Sequence, residues 1–170
     1  MVSKEKSKTF IEVALADPVL NAYVLFVQTA DAVQKYADAC FYKKAGLSTT
    51  KFVVLEVLAV NQESMTPSQI ARWTLRERHN ITTLVDRMQQ DGLVRTERNN
   101  KDKRSVNIIL TNEGREALAR AVPVAREIVD QVMVSMGERD VTQLVESLNI
   151  LRQNAHEGLG DLTDYQAGQS

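Results

Sequence analysis

Residues 95–110 read RTERNNKDKRSVNIIL, and this stretch decides the predicted fold. Its two ends favour β-strands, and the second end alternates apolar and polar residues as a half-buried strand does. Its centre, NNKDKR, has no apolar residue and contains three cations, Lys101, Lys103 and Arg104. A hairpin needs only about two to five loop residues to reverse direction. On charge alone, these cations fit a solvated tip and a tip that binds a polyanion equally well.

A long helix is predicted over residues 17–45, well before the hairpin. Asp17 is a suitable N-cap, Pro18 suits the first helical position, and Gly46 ends the helix. About 28 residues correspond to a helix of about 40 Å at a rise of 1.5 Å per residue. Because a small core cannot cover such a helix, part of it is expected to pack on another chain.

Three shorter helices are predicted between the long helix and the hairpin. Ser48 caps the first of them, and Thr66 and Gln69 form a capping box at the start of the second. The third covers residues 77–91 and has a single apolar stripe, before Gly92 closes it. Two short helices followed by a two-stranded hairpin are the order of a winged helix-turn-helix.

Two further helices are predicted after the hairpin, which gives the order α-α-α-α-β-β-α-α. Thr111 caps the first of them, and Pro123 inside it is expected to bend or break it. The last helix covers residues 137–159. The predicted fold class is therefore mainly α with a small β-hairpin wing, in which a winged helix-turn-helix is extended by N- and C-terminal helices.

The composition argues against several classes of function. The one cysteine permits no disulfide within the chain, and it lies far from His79 and His156, so no metal site is predicted. No apolar run approaches the roughly 20 residues that span a bilayer, and no apolar signal core follows the cationic N-terminus, so a cytoplasmic location is expected. The sequence has no catalytic carboxylate pair, no nucleophile with a base and no Gly-rich phosphate loop, so neither an enzyme nor a cofactor is predicted.

The net charge of −1 conceals a segregation of charge along the chain. Residues 1–75 have eight basic and seven acidic residues, residues 76–104 have eight and five, and residues 105–170 have five and ten. The three segments therefore have charges of +1, +3 and −5. The basic middle segment contains the third short helix and the hairpin, and a local basic patch is what binding to nucleic acid requires.

The third short helix has a polar face that suits the major groove of duplex DNA. Hydroxyl, amide and guanidinium groups read base edges and hold phosphates. On this helix they belong to Arg78, His79, Asn80, Thr82, Thr83 and Arg87. The hairpin would then reach the neighbouring groove, where Arg104 or Lys103 enters a narrow minor groove with enhanced negative potential.

Four motifs, in this order and spacing, resemble the MarR (multiple antibiotic resistance regulator) family. They are a Leu-Val-Asp-Arg-Met segment at residues 84–88, a Gly-Leu-Val step at residues 92–94, Asp102-x-Arg104 in the wing, and the exit Leu110-Thr111-x-x-Gly114. The resemblance covers residues 17–155 and is most specific over residues 81–114. It departs from the family at Glu77, where a Ser or Thr cap is usual, and at residues 99–100, where an acidic residue is usual.

The resemblance implies an obligate homodimer, binding to pseudo-palindromic promoter DNA, and usually repression. It also implies a small aromatic or phenolic effector that enters between two domains and weakens DNA binding, although it names no effector-binding residue here. Asp102 would steady Arg104 in the minor groove. The domains implied are an N-terminal extension at 1–16, helical dimerisation segments at 17–46 and 112–157, a winged helix-turn-helix at 47–111, and a flexible tail at 158–170.

The candidate DNA-binding residues are polar or basic and lie on the two short helices and the hairpin. They are Ser68, Gln69, Arg78, His79, Asn80, Thr82, Thr83, Arg87, Arg98, Lys101, Lys103 and Arg104. Ser68 and Gln69 have capping of the second short helix as an equal alternative to phosphate binding. His79 has capping of a turn as its alternative, and Arg87 is expected to hold a phosphate rather than to read a base.

Two further interpretations stay open at this point. Cys40 is either a small core residue or a thiol switch, and the core role is more typical of a lone cysteine on an apolar helix. The aromatics Tyr23, Phe26, Tyr36, Tyr42 and Trp73 are either core residues, as is more usual at helical spacing, or the lining of an effector pocket. The acidic C-terminal third also fits another class of function, a winged-helix module that binds protein partners.

Overall fold

The structure is a computed structural model that describes residues 9, 16–74, 78–98 and 106–167, with side chains as far as residue 159. The chain divides into two compact units, Met1–Val132 and Met133–Ser170. Among the residues described, no helix is both long enough and apolar enough to cross a membrane.

The first helix, α1 (Pro18–Ala45), confirms the predicted boundaries. The Asp17 carboxylate accepts hydrogen bonds from the backbone N–H groups of Val19, at 2.8 Å, and Leu20, at 3.2 Å, and thereby caps the helix. Gly46 ends it in the left-handed region at φ 67°, where glycine has no steric penalty.

The next elements are α2 (Thr49–Val60), β1 (Ser64–Met65), α3 (Pro67–Thr74) and α4 (Arg78–Gln90). The predicted capping box opens α3. The side-chain oxygen of Gln69 accepts the Thr66 N–H at 2.8 Å, and the Thr66 hydroxyl oxygen accepts the Gln69 N–H at 3.3 Å. These bonds satisfy two of the donors that a helix start leaves without partners, and they confirm the expected cap.

A three-stranded antiparallel sheet contains β1, β2 (Val94–Arg98) and β3 (Val106–Leu110), in the order β1–β3–β2. The predicted hairpin is confirmed, with Val94 opposite Leu110 and Arg98 opposite Val106. The sequence did not predict β1, which pairs Ser64 with Ile109 in β3.

Two helices follow the sheet, α5 (Asn112–Val132) and α6 (Glu138–Ala167). Pro123 does not break α5, which is one continuous helix, and the expected bend stays a prediction. Pro123 removes one backbone hydrogen bond and its ring crowds the carbonyl four residues earlier, and the burial of Ala121, Val124 and Ile128 in the core offsets this cost. The predicted end of the last helix near residue 159 was wrong, since α6 continues to Ala167. No proline follows Gly158 to force the backbone out of the helix.

The core of the first unit lies between α2, α3, α4, the sheet and α5. Its largest fully buried side chains are Leu55, Leu58, Ile70, Ile81, Met88, Ile108 and Val54. Burial of each such side chain contributes about 1.5–3 kcal/mol relative to leaving it exposed. From α1, only Ala37 and Phe41 are buried, so the core reaches the C-terminal part of that helix alone.

Candidate nucleic-acid interface

The core contacts of α4 determine which of its faces meets solvent. Ile81, Val85 and Met88 are buried and lie on one stripe of the helix. Since a helix has 3.6 residues per turn, the side chains between them point outward. Every candidate residue of α4 is exposed: Arg78, His79, Asn80, Thr82, Thr83 and Arg87. The helix therefore exposes all six polar or basic side chains, as its sequence predicted, and five of them lie away from the buried stripe, whereas Arg78 is exposed in the first turn.

Two hydroxyl groups on this face donate to the backbone of their own helix. The Thr82 hydroxyl donates to the Arg78 carbonyl at 3.1 Å, and the Thr83 hydroxyl donates to the His79 carbonyl at 3.2 Å. Each hydroxyl oxygen keeps lone pairs that accept a hydrogen bond from a base amino group without breaking the existing bond.

Three guanidinium groups give this surface its positive charge. Arg78, Arg87 and Arg98 are exposed, and no ion pair within the described residues neutralises them. By contrast, Arg95 on β2 pairs with Glu97 on the same strand. Unneutralised cations beside a polar helix face match the phosphate contacts that position a protein on duplex DNA.

Of the two candidate DNA-binding residues at the start of α3, one already has a structural role in capping the helix. Gln69 and Ser68 are both exposed, but the Gln69 side chain belongs to the capping box with Thr66. Capping is therefore observed for Gln69. Contact of either residue with phosphate stays a prediction.

The structure describes the two strands that flank the hairpin tip but not the tip itself. Lys101, Asp102, Lys103 and Arg104 lie outside the described residues, as does Glu77 before α4. Their expected roles in the wing and the helix cap stay predictions. The flanks that carry the tip, Arg98 and Val106, are paired across β2 and β3.

The sequence did not reveal two contacts that hold α4 to its neighbours. Lys51 at the start of α2 forms an ion pair with Asp91, which directly follows α4. The Gln89 side-chain amide donates to the Thr96 hydroxyl on β2 at 3.1 Å. Neither pair has a local sequence signal, because the partners belong to different elements of the fold.

Cys40 is half-buried and packs against the core, as a core role requires. A hydrogen bond with Cys40 and partial desolvation raise the pKa of the Tyr36 phenol above its ordinary value. The described contacts leave the thiol-switch interpretation untested.

The expectation that the aromatic residues are core residues was wrong for the single chain. All five are exposed, with fractions of 60% for Tyr23, 77% for Tyr42 and 58% for Trp73. For Tyr23 and Phe26 the reason is that the core contacts only the C-terminal part of α1, where Ala37 and Phe41 are buried. Trp73 lines a shallow cleft of about 400 Å³ between the end of α2, β1 and α3, and none of the four aromatics of α1 lines that cleft.

The fold is shared with known transcriptional regulators. YetL, an HTH-type transcriptional repressor of Bacillus subtilis (strain 168), is 28% identical over 112 residues, which cover 65% of this chain and 67% of YetL. The structure of the M. tuberculosis transcriptional regulator MOSR in complex with DNA has a TM-score of 0.69 and 30% identity, and the match covers 80% of this chain and 96% of MOSR.

A third likeness concerns the fold alone. The organohalide-sensing regulator RdhR-CbdbA1625, in its 2,4-dichlorophenol-bound form, has a TM-score of 0.76 and 23% identity, with 91% of this chain and 89% of that chain covered. The helices, the small sheet and these likenesses define a winged helix-turn-helix transcriptional regulator. The chain belongs to the MarR family, whose profile matches residues 45–105. These relatives are transcriptional regulators rather than enzymes, as expected for this chain.

Proposed function

We propose that two copies of this chain bind a pseudo-palindromic promoter site as a homodimer and repress transcription from it. Each α4 would lie in a major groove, and each hairpin tip would contact the adjacent groove. The observation that carries the proposal is the exposed polar surface of α4, where Asn80, Thr82 and Thr83 lie in sequence between Arg78 and Arg87, two cations with no ion-pair partner among the described residues. The DNA complex of MOSR and the repressor YetL support DNA binding and repression as the biological outcome.

Uncovered apolar side chains on α1 support the dimer. Val19, Tyr23, Phe26 and Val27 are exposed and follow one another at spacings of four, three and one, which places them on one face of the helix. A contiguous exposed apolar face on a protein in water indicates an interaction surface. A second copy of the chain is the partner that the family resemblance implies.

The helix α6 supports the dimer independently. None of its residues with described side chains is buried in the single chain. Val145, Leu148, Leu151 and Leu159 are nevertheless apolar and exposed on a common stripe. A helix with such a stripe and no buried side chain needs a partner surface, because an apolar stripe of an amphipathic helix normally packs against a core or another helix.

A small aromatic molecule would release the protein from DNA. This release is supported by the exposed aromatic side chains of α1, such as Tyr23 and Phe26, which a planar ligand would contact. The 2,4-dichlorophenol-bound form of RdhR-CbdbA1625 illustrates such a ligand on the same fold. The cytoplasm is the proposed compartment, since the duplex that the protein would bind lies there.

A gel-shift titration with the duplex upstream of the protein's own gene tests the proposal. We expect a saturable complex containing two chains, and a steep loss of affinity as salt increases, because phosphate contacts release counterions. Arg104→Ala should weaken this complex strongly while the protein remains a dimer. No retention of duplex even at low salt would contradict the proposal and favour the alternative of a winged-helix module for protein partners.

A further inference from the structure

The first turn of α5 is attached to both edges of the three-stranded sheet. At the β2 edge, the Thr111 hydroxyl shares its one hydrogen between the carbonyls of Gly92, at 2.7 Å, and Leu93, at 2.9 Å. The Thr111 N–H also donates to the Leu93 carbonyl at 3.3 Å. At the β1 edge, the attachment is the ion pair between Arg115 and Glu63.

The Glu63–Arg115 pair is bidentate. Arg115 Nε donates to Glu63 Oε1 at 2.7 Å, and its Nη2 donates to Glu63 Oε2. The remaining guanidinium nitrogen, Nη1, donates to the side-chain oxygen of Asn112 at 2.6 Å and fixes the guanidinium plane on the helix. Such a fork geometry restricts orientation as well as distance, which a single hydrogen bond does not do.

The backbone of Glu63 joins two elements, α2 and β3, at the same point. Its N–H donates to the Leu58 carbonyl of α2 at 2.8 Å, and its carbonyl accepts the Leu110 N–H at the end of β3 at 3.0 Å. Both Gln62 and Glu63 have left-handed φ angles, 58° and 62°, which cost non-glycine residues roughly 1–2 kcal/mol each. The surrounding contacts must therefore hold this turn in place.

A helix attached to a sheet at one edge can pivot about that edge, whereas attachment at both edges fixes its angle. We propose that Glu63 and Arg115 form a clamp that sets the angle between α5 and the sheet and so positions the hairpin tip for DNA. Neither residue needs to contact DNA for this role. The inference rests on the proposed function, since it assigns positioning residues to the same DNA-binding surface.

The charge of Glu63 makes the clamp testable, because electrostatics and positioning predict opposite signs. Glu63→Gln removes a negative charge, and charge alone would make binding to a polyanion tighter. If the clamp positions the wing, the same change weakens duplex binding, by roughly tenfold if the coupling is of typical size. Backbone strain does not confound the substitution, since glutamine already occupies the left-handed region at Gln62.

Glu116→Gln is the matched control. Glu116 is exposed, follows Arg115 in α5 and has no partner within the described residues. The two variants change the net charge equally, so their affinities for one duplex separate the clamp from the charge. Both variants should remain folded, and Glu63→Gln should lower the melting temperature only slightly, because an exposed ion pair contributes little to stability.

The experiment measures duplex affinity by fluorescence anisotropy at several salt concentrations for the wild type, Glu63→Gln, Arg115→Gln, the double variant and Glu116→Gln. We expect Glu63→Gln to bind about tenfold more weakly with a shallower salt dependence, since the misplaced wing loses phosphate contacts. The double variant should bind no more weakly than Arg115→Gln alone. Equal or tighter binding by Glu63→Gln would overturn the clamp.

A second measurement separates failure of the clamp from failure of the proposed DNA binding. If the wild type binds no duplex, exchange of the Leu110 amide hydrogen tests the clamp without DNA. Glu63→Gln should speed this exchange, because the Glu63 carbonyl that accepts the Leu110 N–H loses its anchor, while exchange at Thr111 on the other edge stays unchanged. If the Leu110 amide hydrogen exchanges at the wild-type rate in Glu63→Gln, the clamp is disproved independently of any DNA measurement.

Discussion

The Gln89 side-chain amide of α4 donates a hydrogen bond to the Thr96 hydroxyl of β2 across 3.1 Å. The same corner contains Gly92, whose φ of 74° ends α4, and Leu93, whose N–H donates to the Met88 carbonyl at 2.9 Å. The orientation of α4 relative to the hairpin is thus fixed by side chains as well as by the turn. For the proposed binding to two grooves of one duplex, that angle would decide whether both contacts form together.

Gln89→Ala should lower duplex affinity more than it lowers stability. The exposed neutral hydrogen bond contributes about 0.5 kcal/mol to the free energy of unfolding, so urea unfolding should change little. Anisotropy titration with duplex checks the binding effect. The control is Gln90→Ala, at an exposed neighbour without a described partner. Equal affinities of the two variants would show that the Gln89 contact does not position α4.

Gly114→Ala should destabilise the first unit by roughly 2 kcal/mol, the cost of overpacking a close contact. A methyl group at Gly114 would lie 2.1 Å from the Leu93 carbonyl oxygen and 2.8 Å from the Leu110 side chain, and the first of these is backbone that cannot move aside. Urea denaturation measures the effect.

Gly158→Ala is the matched control for that substitution. A methyl group there meets no atom within 4 Å, so helix propensity alone predicts a neutral or slightly stabilising change. If Gly114→Ala unfolds with the same free energy as the wild type, α5 and β2 are farther apart than described.

The Glu63–Arg115 pair should make stability depend on acidity in a defined window. Hydrogen bonds from Arg115 hold the pKa of the Glu63 carboxyl below its usual value of 4.5. A carboxyl with a lowered folded-state pKa stabilises the fold fully above its unfolded pKa and loses that contribution as the pH falls through the folded pKa.

The difference in unfolding free energy between the wild type and Glu63→Gln should therefore be constant above about pH 5 and shrink below pH 4.5. Urea denaturation over a pH series measures it. A difference that stays constant into strongly acidic solution would contradict the ion pair.

Leu148→Asp should dissociate the proposed dimer. Leu148 belongs to the exposed apolar stripe of α6, and burial of a carboxylate in an apolar interface is costly. Sedimentation at micromolar concentration distinguishes one chain from two. Ser147→Asp places the same charge beside the stripe and should leave the dimer intact. If the Leu148→Asp variant still sediments as two chains, this stripe does not form the interface.

The sequence predicted those features that local chemistry determines. Asp17 and Gly46 bound α1 because capping and the left-handed conformation involve only neighbouring residues. The Thr66–Gln69 capping box has the same local origin. The outward face of α4 followed from its apolar stripe, since helical periodicity alone separates buried Ile81 from exposed Asn80.

The sequence did not predict features that depend on residues far apart in the chain. The two residues of β1 have no strand signal and exist because they pair with Ile109 and Ile108 of β3. Glu63 and Arg115 are 52 positions apart, so neither identifies the other. The length of α1 predicted that the core would leave part of it uncovered, but not that Tyr23 belongs to that part, because an uncovered apolar face has the same pattern as one that packs in the core.

Photo-crosslinking from α4 tests the central claim most directly. A benzophenone amino acid placed at Thr83, on the exposed face of α4, should crosslink to a duplex from the upstream region, and unlabelled duplex should compete with the crosslink. The same probe at Ser147 on α6 should give no DNA adduct. If Thr83 yields no adduct under conditions in which the protein retains the duplex, α4 does not lie in the groove and the account is contradicted.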